Sequence, residues 1–221
     1  MKIAEVFYSV QGEGTLLGVP SVFLRTSGCN LRCSWCDTPY TSWHPEGTEY
    51  TLDQLVEAAA PARHVVVTGG EPMIMPQMVE LTQRLRVAGK HITIETAGTK
   101  FAPVECDLMS ISPKLANSMP EGDFAVQHER LRIQPAVLRQ LMDGWPYQLK
   151  FVVRERGDMA EIDALVRDLR ASTEQVVLMP EGVDPDVLRE RGQWITEVCK
   201  ERGYRYSPRL HVDLYGNRRG V

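Results

Sequence analysis

The sequence predicts an α/β fold, a partial (shortened) TIM-like barrel of about six parallel strands with helices outside. Three observations carry that expectation. Short β-branched apolar runs alternate with longer segments whose apolar residues recur at helical spacing. Glycine, proline or polar clusters follow the ends of the apolar runs, where α/β folds place their chemistry. The chain has 221 residues, one domain's worth, and its six or seven predicted strands are too few for a full eight-stranded barrel but enough for a partial one.

The elements follow in order. Residues 21–26 read as the first strand, and a cysteine-rich loop follows directly. Residues 52–60 read as a helix capped by Thr51, with Gln54 placed for a capping box. Residues 64–68 form a short buried strand ended by Gly69-Gly70. Residues 76–88 form a helix with Pro76 at its start and Gly89 past its end. Strands are predicted at 91–95 and 108–112, and a polar surface loop at 117–131. A helix at 133–142 and a strand at 148–153 come next. Ile162, Leu165, Val166 and Leu169 give 158–170 a helical stripe. A strand at 175–179, a long helix at 184–202 and a closing strand at 209–214 complete the chain, read as a single domain over 1–221.

Composition narrows the function. Apolar residues make up 43% and charged residues 24%, with a net charge of −4, so neither disorder nor a broad nucleic-acid-binding face is expected. The longest apolar runs, such as Val65-Val66-Val67, are far short of a membrane span. Met1-Lys2-Ile3-Ala4-Glu5 does not resemble a leader, and the expected location is the cytoplasm. There are five cysteines, and an odd number with three inside eight residues is a poor disulfide framework. A reducing compartment and a metal explain them better.

Cys29, Cys33 and Cys36 are spaced C-x3-C-x2-C. Three thiols so close have no packing reason. A closed zinc site needs four ligands, with His44 as the available fourth. The other reading is a four-iron cluster held by three thiolates, its fourth iron open to a ligand that is not protein, and three cysteines without an adjacent fourth fit it best. Cys106 and Cys199, isolated in sequence, read as small buried apolar residues.

Further unusual segments follow strand ends. Thr68-Gly69-Gly70-Glu71-Pro72 is either a plain glycine turn or a backbone without Cβ atoms against which a ligand can lie. Ser112-Pro113-Lys114 places a compact cation with three donors beside a hydroxyl. Glu95-Thr96-Ala97-Gly98-Thr99 shares the same rim without a single assigned role. Val10-Gln11-Gly12-Glu13-Gly14 precedes the first predicted strand. Arg25 sits in the middle of an inward strand, where a charge requires a partner, and a substrate carboxylate is a matching bidentate one.

The cysteine spacing with Trp35 as the aromatic, together with the glycine–glutamate and serine–lysine segments, resembles the radical S-adenosylmethionine superfamily. The neighbourhood from Phe7 to Gly14, Arg25 and Cys36-Asp37-Thr38 resembles that superfamily's pterin-contracting, 7-deazapurine-forming branch. The resemblance implies a 4Fe-4S cluster on Cys29, Cys33 and Cys36. It implies S-adenosylmethionine held near Trp35, Asp37, Gly70, Glu71, Ser112, Pro113 and Lys114, with Met179-Pro180-Glu181-Gly182 reaching its adenine. It implies Mg²⁺ on the Thr38 hydroxyl, and a pterin contacted by Val10, Gln11, Gly12, Arg25, Thr68 and the terminal Val221. The implied reaction contracts 6-carboxy-5,6,7,8-tetrahydropterin to 7-carboxy-7-deazaguanine with loss of ammonia. The implied partners are a second copy of the chain and a flavodoxin or ferredoxin electron donor, with no nucleic acid and no membrane. A glycyl-radical-enzyme activase is the alternative enzyme, and a zinc-binding structural module using His44 the alternative of another class.

Overall fold

The computed structural model describes every residue from Met1 to Val221. Nine strands form one open sheet: β1 (Lys2–Val10), β2 (Pro20–Thr26), β3 (Thr48–Glu49), β4 (His64–Gly69), β5 (His91–Thr96), β6 (Leu108–Ile111), β7 (Tyr147–Val153), β8 (Val176–Pro180) and β9 (Arg205–Tyr206). Their order is β3-β1-β2-β4-β5-β6-β7-β8-β9. From β2 to β9 all neighbours are parallel, while β1 runs antiparallel to β2 and β3 antiparallel to β1. Six of the parallel strands are longer than two residues, as the sequence predicts. The helices are α1 (Pro39–Ser42), α2 (Leu52–Ala58), α3 (Met78–Val87), α4 (Ala125–Arg132), α5 (Pro135–Gly144), α6 (Asp158–Leu169), α7 (Pro185–Arg202) and α8 (Leu210–Tyr215). The Thr51 capping box on α2 is formed, with Gln54 N donating to the hydroxyl at 3.2 Å and the Gln54 side chain accepting from Thr51 N at 2.9 Å.

Strand alternation divides the sheet into two chemical faces. Val65 and Val67, Ile92 and Ile94, Met109 and Ile111, Leu149 and Phe151 all belong to the main core with Leu81, Leu85, Leu138, Ile162 and Ile195 from the helices. The intervening residues, Arg25, Thr68, Glu95, Ser110 and Lys150 among them, line a cavity on the other face. One face thus builds the core and the other the site. Cys106 and Cys199 lie in the core. No helix is long and apolar enough to cross a membrane.

Three expectations are corrected. The first strand is residues 2–10, not 21–26; it pairs only with its neighbours β2 and β3, is mostly half-buried on both faces and so lacks a clean alternation. The 209–214 segment is not a strand but Arg209 followed by helix α8 (Leu210–Tyr215): in a strand Leu210, Val212 and Leu214 would share a face, but only Val212 is buried and Leu214 is 56% exposed. The 117–131 segment is not simply a surface loop. It contains 3-10 turns and α4, whose one buried residue is His128. Without an apolar stripe it is held by polar contacts, and so it has no helical signature in hydropathy.

Candidate functional site

The cavity over the polar face has a volume of about 250 Å³ and is bounded by all three clustered cysteines. Burial pushes the Cys29 and Cys33 thiols up to about 12, because a thiolate there has lost its water. The thiolate form is favoured by several neighbours. Leu31 N–H points at Cys29 Sγ at 3.4 Å, and Ser42 Oγ lies 3.3 Å from Cys36 Sγ. The positive charge of Lys114 acts on both Cys29 and Cys33. Three thiols on one wall, with a backbone donor aimed at Cys29 Sγ and the charge of Lys114 acting on Cys29 and Cys33, form a donor set that suits a thiolate-held iron–sulfur cluster. His44, the candidate fourth ligand of a zinc site, is exposed and absent from the cavity wall, which removes that arrangement.

The segment expected to be a surface loop clamps the cysteine loop. Trp35 Nε1 donates to Asn117 O at 2.9 Å, Ser34 N to Ser118 O at 3.0 Å, and Arg32 N to His128 Nδ1 at 3.1 Å. The other ring nitrogen of His128 lies 2.9 Å from Ser118 Oγ, and burial lowers the His128 pKa. The His128 pairing fixes Arg32 and Ser118, while Asn117 holds Trp35 on the cavity wall.

The glycine pair serves chain packing as well as the cavity. A Cβ on Gly70 would meet Gly28 O at 2.1 Å and Thr41 O at 2.8 Å, and one on Gly69, at φ +132°, would meet Thr26 O at 2.3 Å. The missing Cβ atoms therefore let the start of the cysteine loop cross behind β4's end, and Glu71 N donates to Gly28 O at 2.9 Å there. Glu71 itself is fully buried and off the cavity wall. Its carboxylate accepts from Thr96 Oγ1 and Ala97 N, both at 2.7 Å, and from Met73 N at 3.0 Å. Burial raises its pKa against those donors. The expected cofactor contact is thus a fixed brace between two strand-end turns. Pro113 is likewise buried off the wall. Ser112 and Lys114 do line it, with Lys114 Nζ donating to Ser112 Oγ at 2.9 Å and Ser112 O at 2.8 Å.

Val10, Gln11 and Gly12 reach the same wall with Arg25, Thr68 and Val221, and so do Asp37 and Thr38 directly after Cys36. Arg25 has a partner inside the protein, Glu5, at 2.8 Å. The strongest feature here is nearly silent in the sequence. Glu13 pairs with Lys150 and, at 3.2 Å, with Arg209, which also pairs with Asp37 and donates to Gly182 O at 2.5 Å. Burial alone would raise Glu13, but Lys150 and Arg209 hold it well below the ordinary carboxylate range. Asp37 is lowered by Arg209 against the same penalty. His211, whose ring closes on Gly12 so tightly that a Cβ there would lie 2.1 Å from Nδ1, has its pKa lowered by burial. Glu95 accepts from Gln11 Nε2 at 3.1 Å. Glu13, Lys150, Arg209, His211 and Glu95 all line the cavity. The sequence marks the segments that carry Glu13 and Glu95 and the inward alternation of Lys150 within an apolar strand, but gives no sign of Arg209 or His211 or of the pairing.

Comparison with known proteins agrees with this geometry. Residues 23–118 match the family model described as the Radical SAM superfamily. The chain is 45% identical to a 7-carboxy-7-deazaguanine synthase of Rhodopirellula baltica, over 99% of this chain and 88% of that one. It is 45% identical to a 7-carboxy-7-deazaguanine synthase of Halobacterium salinarum, over 98% and 91%. The crystal structure of QueE from Escherichia coli superposes with a TM-score of 0.69 at 28% identity, covering 95% of this chain and 94% of that one.

Proposed function

The chain belongs to the 7-carboxy-7-deazaguanine synthase family within the radical S-adenosylmethionine superfamily, and from that premise we propose that it contracts 6-carboxy-5,6,7,8-tetrahydropterin to 7-carboxy-7-deazaguanine, releasing ammonia, within 7-deazapurine (queuosine) biosynthesis. The observation that carries the reading is the make-up of one cavity. Thiols, Ser112, Lys114 and Arg25 share its wall, with six basic against four acidic side chains around it. That surplus suits a carboxylated substrate.

In this reading Cys29, Cys33 and Cys36 hold a 4Fe-4S cluster whose remaining iron position is left to S-adenosylmethionine. Bound together, cluster and S-adenosylmethionine supply one electron and a hydrogen-abstracting radical. Loss of one ammonia balances substrate against product, so S-adenosylmethionine is not consumed. Trp35, fixed by Asn117, flanks the adenine. Ser112 and Lys114 take the ribose and carboxylate of the cofactor, and Gly70 its amino end, while Glu71 keeps the Gly70 turn rigid. Asp37, tied to Arg209, sets the end of the cysteine loop. Arg25 receives the substrate carboxylate with a planar fork, and Val10, Gln11, Gly12, Thr68 and Val221 line the pterin. The Thr38 hydroxyl, on the wall and approached by Thr41 Oγ1 at 3.3 Å, keeps an acceptor for Mg²⁺. That ion commonly takes few protein ligands and keeps its waters. A homodimer, and a flavodoxin or ferredoxin as reductant, belong to the same proposal.

The test is an anaerobic assay of cluster-reconstituted protein with S-adenosylmethionine, Mg²⁺, reductant and the carboxylated pterin, products read by mass spectrometry. Formation of 7-carboxy-7-deazaguanine with little 5′-deoxyadenosine is expected. Deoxyadenosine with untouched pterin would overturn the substrate. Arg25→Ala should keep the visible absorption of the cluster and weaken pterin binding by about 2–5 kcal/mol, the usual result of orphaning a charge pair.

A further inference from the structure

Residues Asn217, Arg218, Arg219 and Val221 lie along the cavity wall, and one side chain ties this C-terminal tail to the body of the protein. Arg219 Nε donates to Glu5 Oε1 at 3.3 Å, and its two terminal nitrogens donate to Glu46 Oε2 at 3.2 Å. Its guanidinium carbon stands 3.6 Å from the centroid of the Tyr40 ring. The other oxygen of Glu5 accepts from Arg25 Nε at 2.8 Å and from the Tyr40 hydroxyl at 2.7 Å. Glu5 is 11% and Arg25 19% exposed, whereas Glu46 is 59% exposed. One sheltered carboxylate therefore serves both the guanidinium that faces the cavity and the guanidinium that ties down the tail. Glu46, in water, is a screened and weaker partner.

We propose that Glu5 couples capture of the substrate carboxylate to closure of the C-terminal tail, with Glu5 and Arg219 acting as positioning residues. The inference rests on the reading of Arg25 as the carboxylate contact. When Arg25 turns its fork to an incoming carboxylate, its hold on Glu5 weakens. The charge of Glu5 then falls to Arg219 and the Tyr40 hydroxyl, and the tail tightens over the cavity. Without an anion, two guanidiniums share that one carboxylate and the tail is held less firmly. Arg219 never touches the reacting atoms in this scheme; it acts through Glu5.

Amide exchange of residues 216–221, read by mass spectrometry on the cluster-reconstituted protein with S-adenosylmethionine, tests the coupling beside steady-state kinetics. Adding the pterin should slow tail exchange in the unaltered protein. Arg219→Ala should exchange quickly with or without pterin, and should raise KM about fivefold while leaving kcat nearly unchanged. Glu5→Gln should abolish the substrate effect on exchange, and the double variant should be no worse than Glu5→Gln alone. Independent, multiplying KM effects would overturn the coupling. So would pterin turnover without any change in tail exchange. If the unaltered protein fails to turn over the pterin, the substrate reading falls and takes the coupling with it. Unchanged exchange in Arg219→Ala without substrate would instead remove the tether alone.

Discussion

Around the cysteine loop, the framework is held by local contacts without a buried ion-pair network: Glu71 between Thr96, Ala97 and Met73, Asn30 against Thr99 at 3.0 Å, Trp35 on Asn117, and Arg32 Nη1 donating to Cys29 O at 2.7 Å. By contrast, Glu13, Lys150, Arg209 and Asp37 form an alternating ion network drawn from four separate segments. In the proposed function the thiols would hold a cluster, and their surroundings need chiefly to be rigid. The ion network would face a charged small molecule, and its balance gives a charged lining without leaving one buried ion alone. Its four members also fix the N-terminal loop, the cysteine loop, β7 and the segment before α8 to one another.

The largest expected effect lies at the cysteine loop. Cys33→Ala removes one of three thiolates, and the visible absorption of the reconstituted cluster should vanish together with reductive cleavage of S-adenosylmethionine. Retention of either would show that the cluster is held elsewhere. Next in size is Lys150→Met, which leaves Glu13 buried with half of its compensation. It should cost about 3–5 kcal/mol in chemical denaturation at neutral pH. Because the folded pKa of Glu13 is depressed from its ordinary 4.5, the stability it contributes is present above that pH and is lost as pH falls through the folded value. The gap between Lys150→Met and the unaltered protein should therefore be full at neutral pH and shrink below about pH 4.5. A gap independent of pH would mean that Lys150 acts by packing rather than by charge.

The same contrast decides which part of the cavity wall is legible in the amino-acid sequence. The cysteine region is legible because its signals are local: a three-cysteine spacing, a glycine pair after an apolar strand, a serine–lysine pair after another. Backbone demands such as the Gly70–Gly28 crossing leave glycines in the sequence, although that crossing serves chain packing at Gly70, not only a ligand. The pairing within the ion network is not legible, because Glu13 meets Lys150 across 137 positions and Arg209 across 196. Nothing in a window around any one of them signals the others. Arg25 reads as a charge awaiting a partner; the partner includes Glu5, on a strand whose mixed pattern conceals it. Helix α8 is hidden for the same reason. Its three alternating apolar residues mimic a strand, and the inward pull of Glu13 and Asp37 on Arg209 comes from distant parts of the chain.

Smaller substitutions around the cysteine loop sharpen the contrast. In Glu71→Gln the amide oxygen can keep accepting from both Thr96 Oγ1 and Met73 N, but its NH₂ group would face the Ala97 N–H. One buried donor loses its partner, at a cost of about 1–3 kcal/mol. Asn30→Ala should be smaller still, about 1 kcal/mol, since the Asn30–Thr99 contact is neutral and Asn30 only half-buried. Its effect should be the same in low and high salt, because neither partner carries a charge to screen. Lys150→Met should also respond only weakly to salt, but for a different reason, since its ion pair is largely sheltered from solvent and so is screened little. Salt therefore does not separate the two regions, and pH does. If Asn30→Ala cost as much as Lys150→Met and followed the same acid dependence, the two regions would differ in the depth of their contacts and not in their charge.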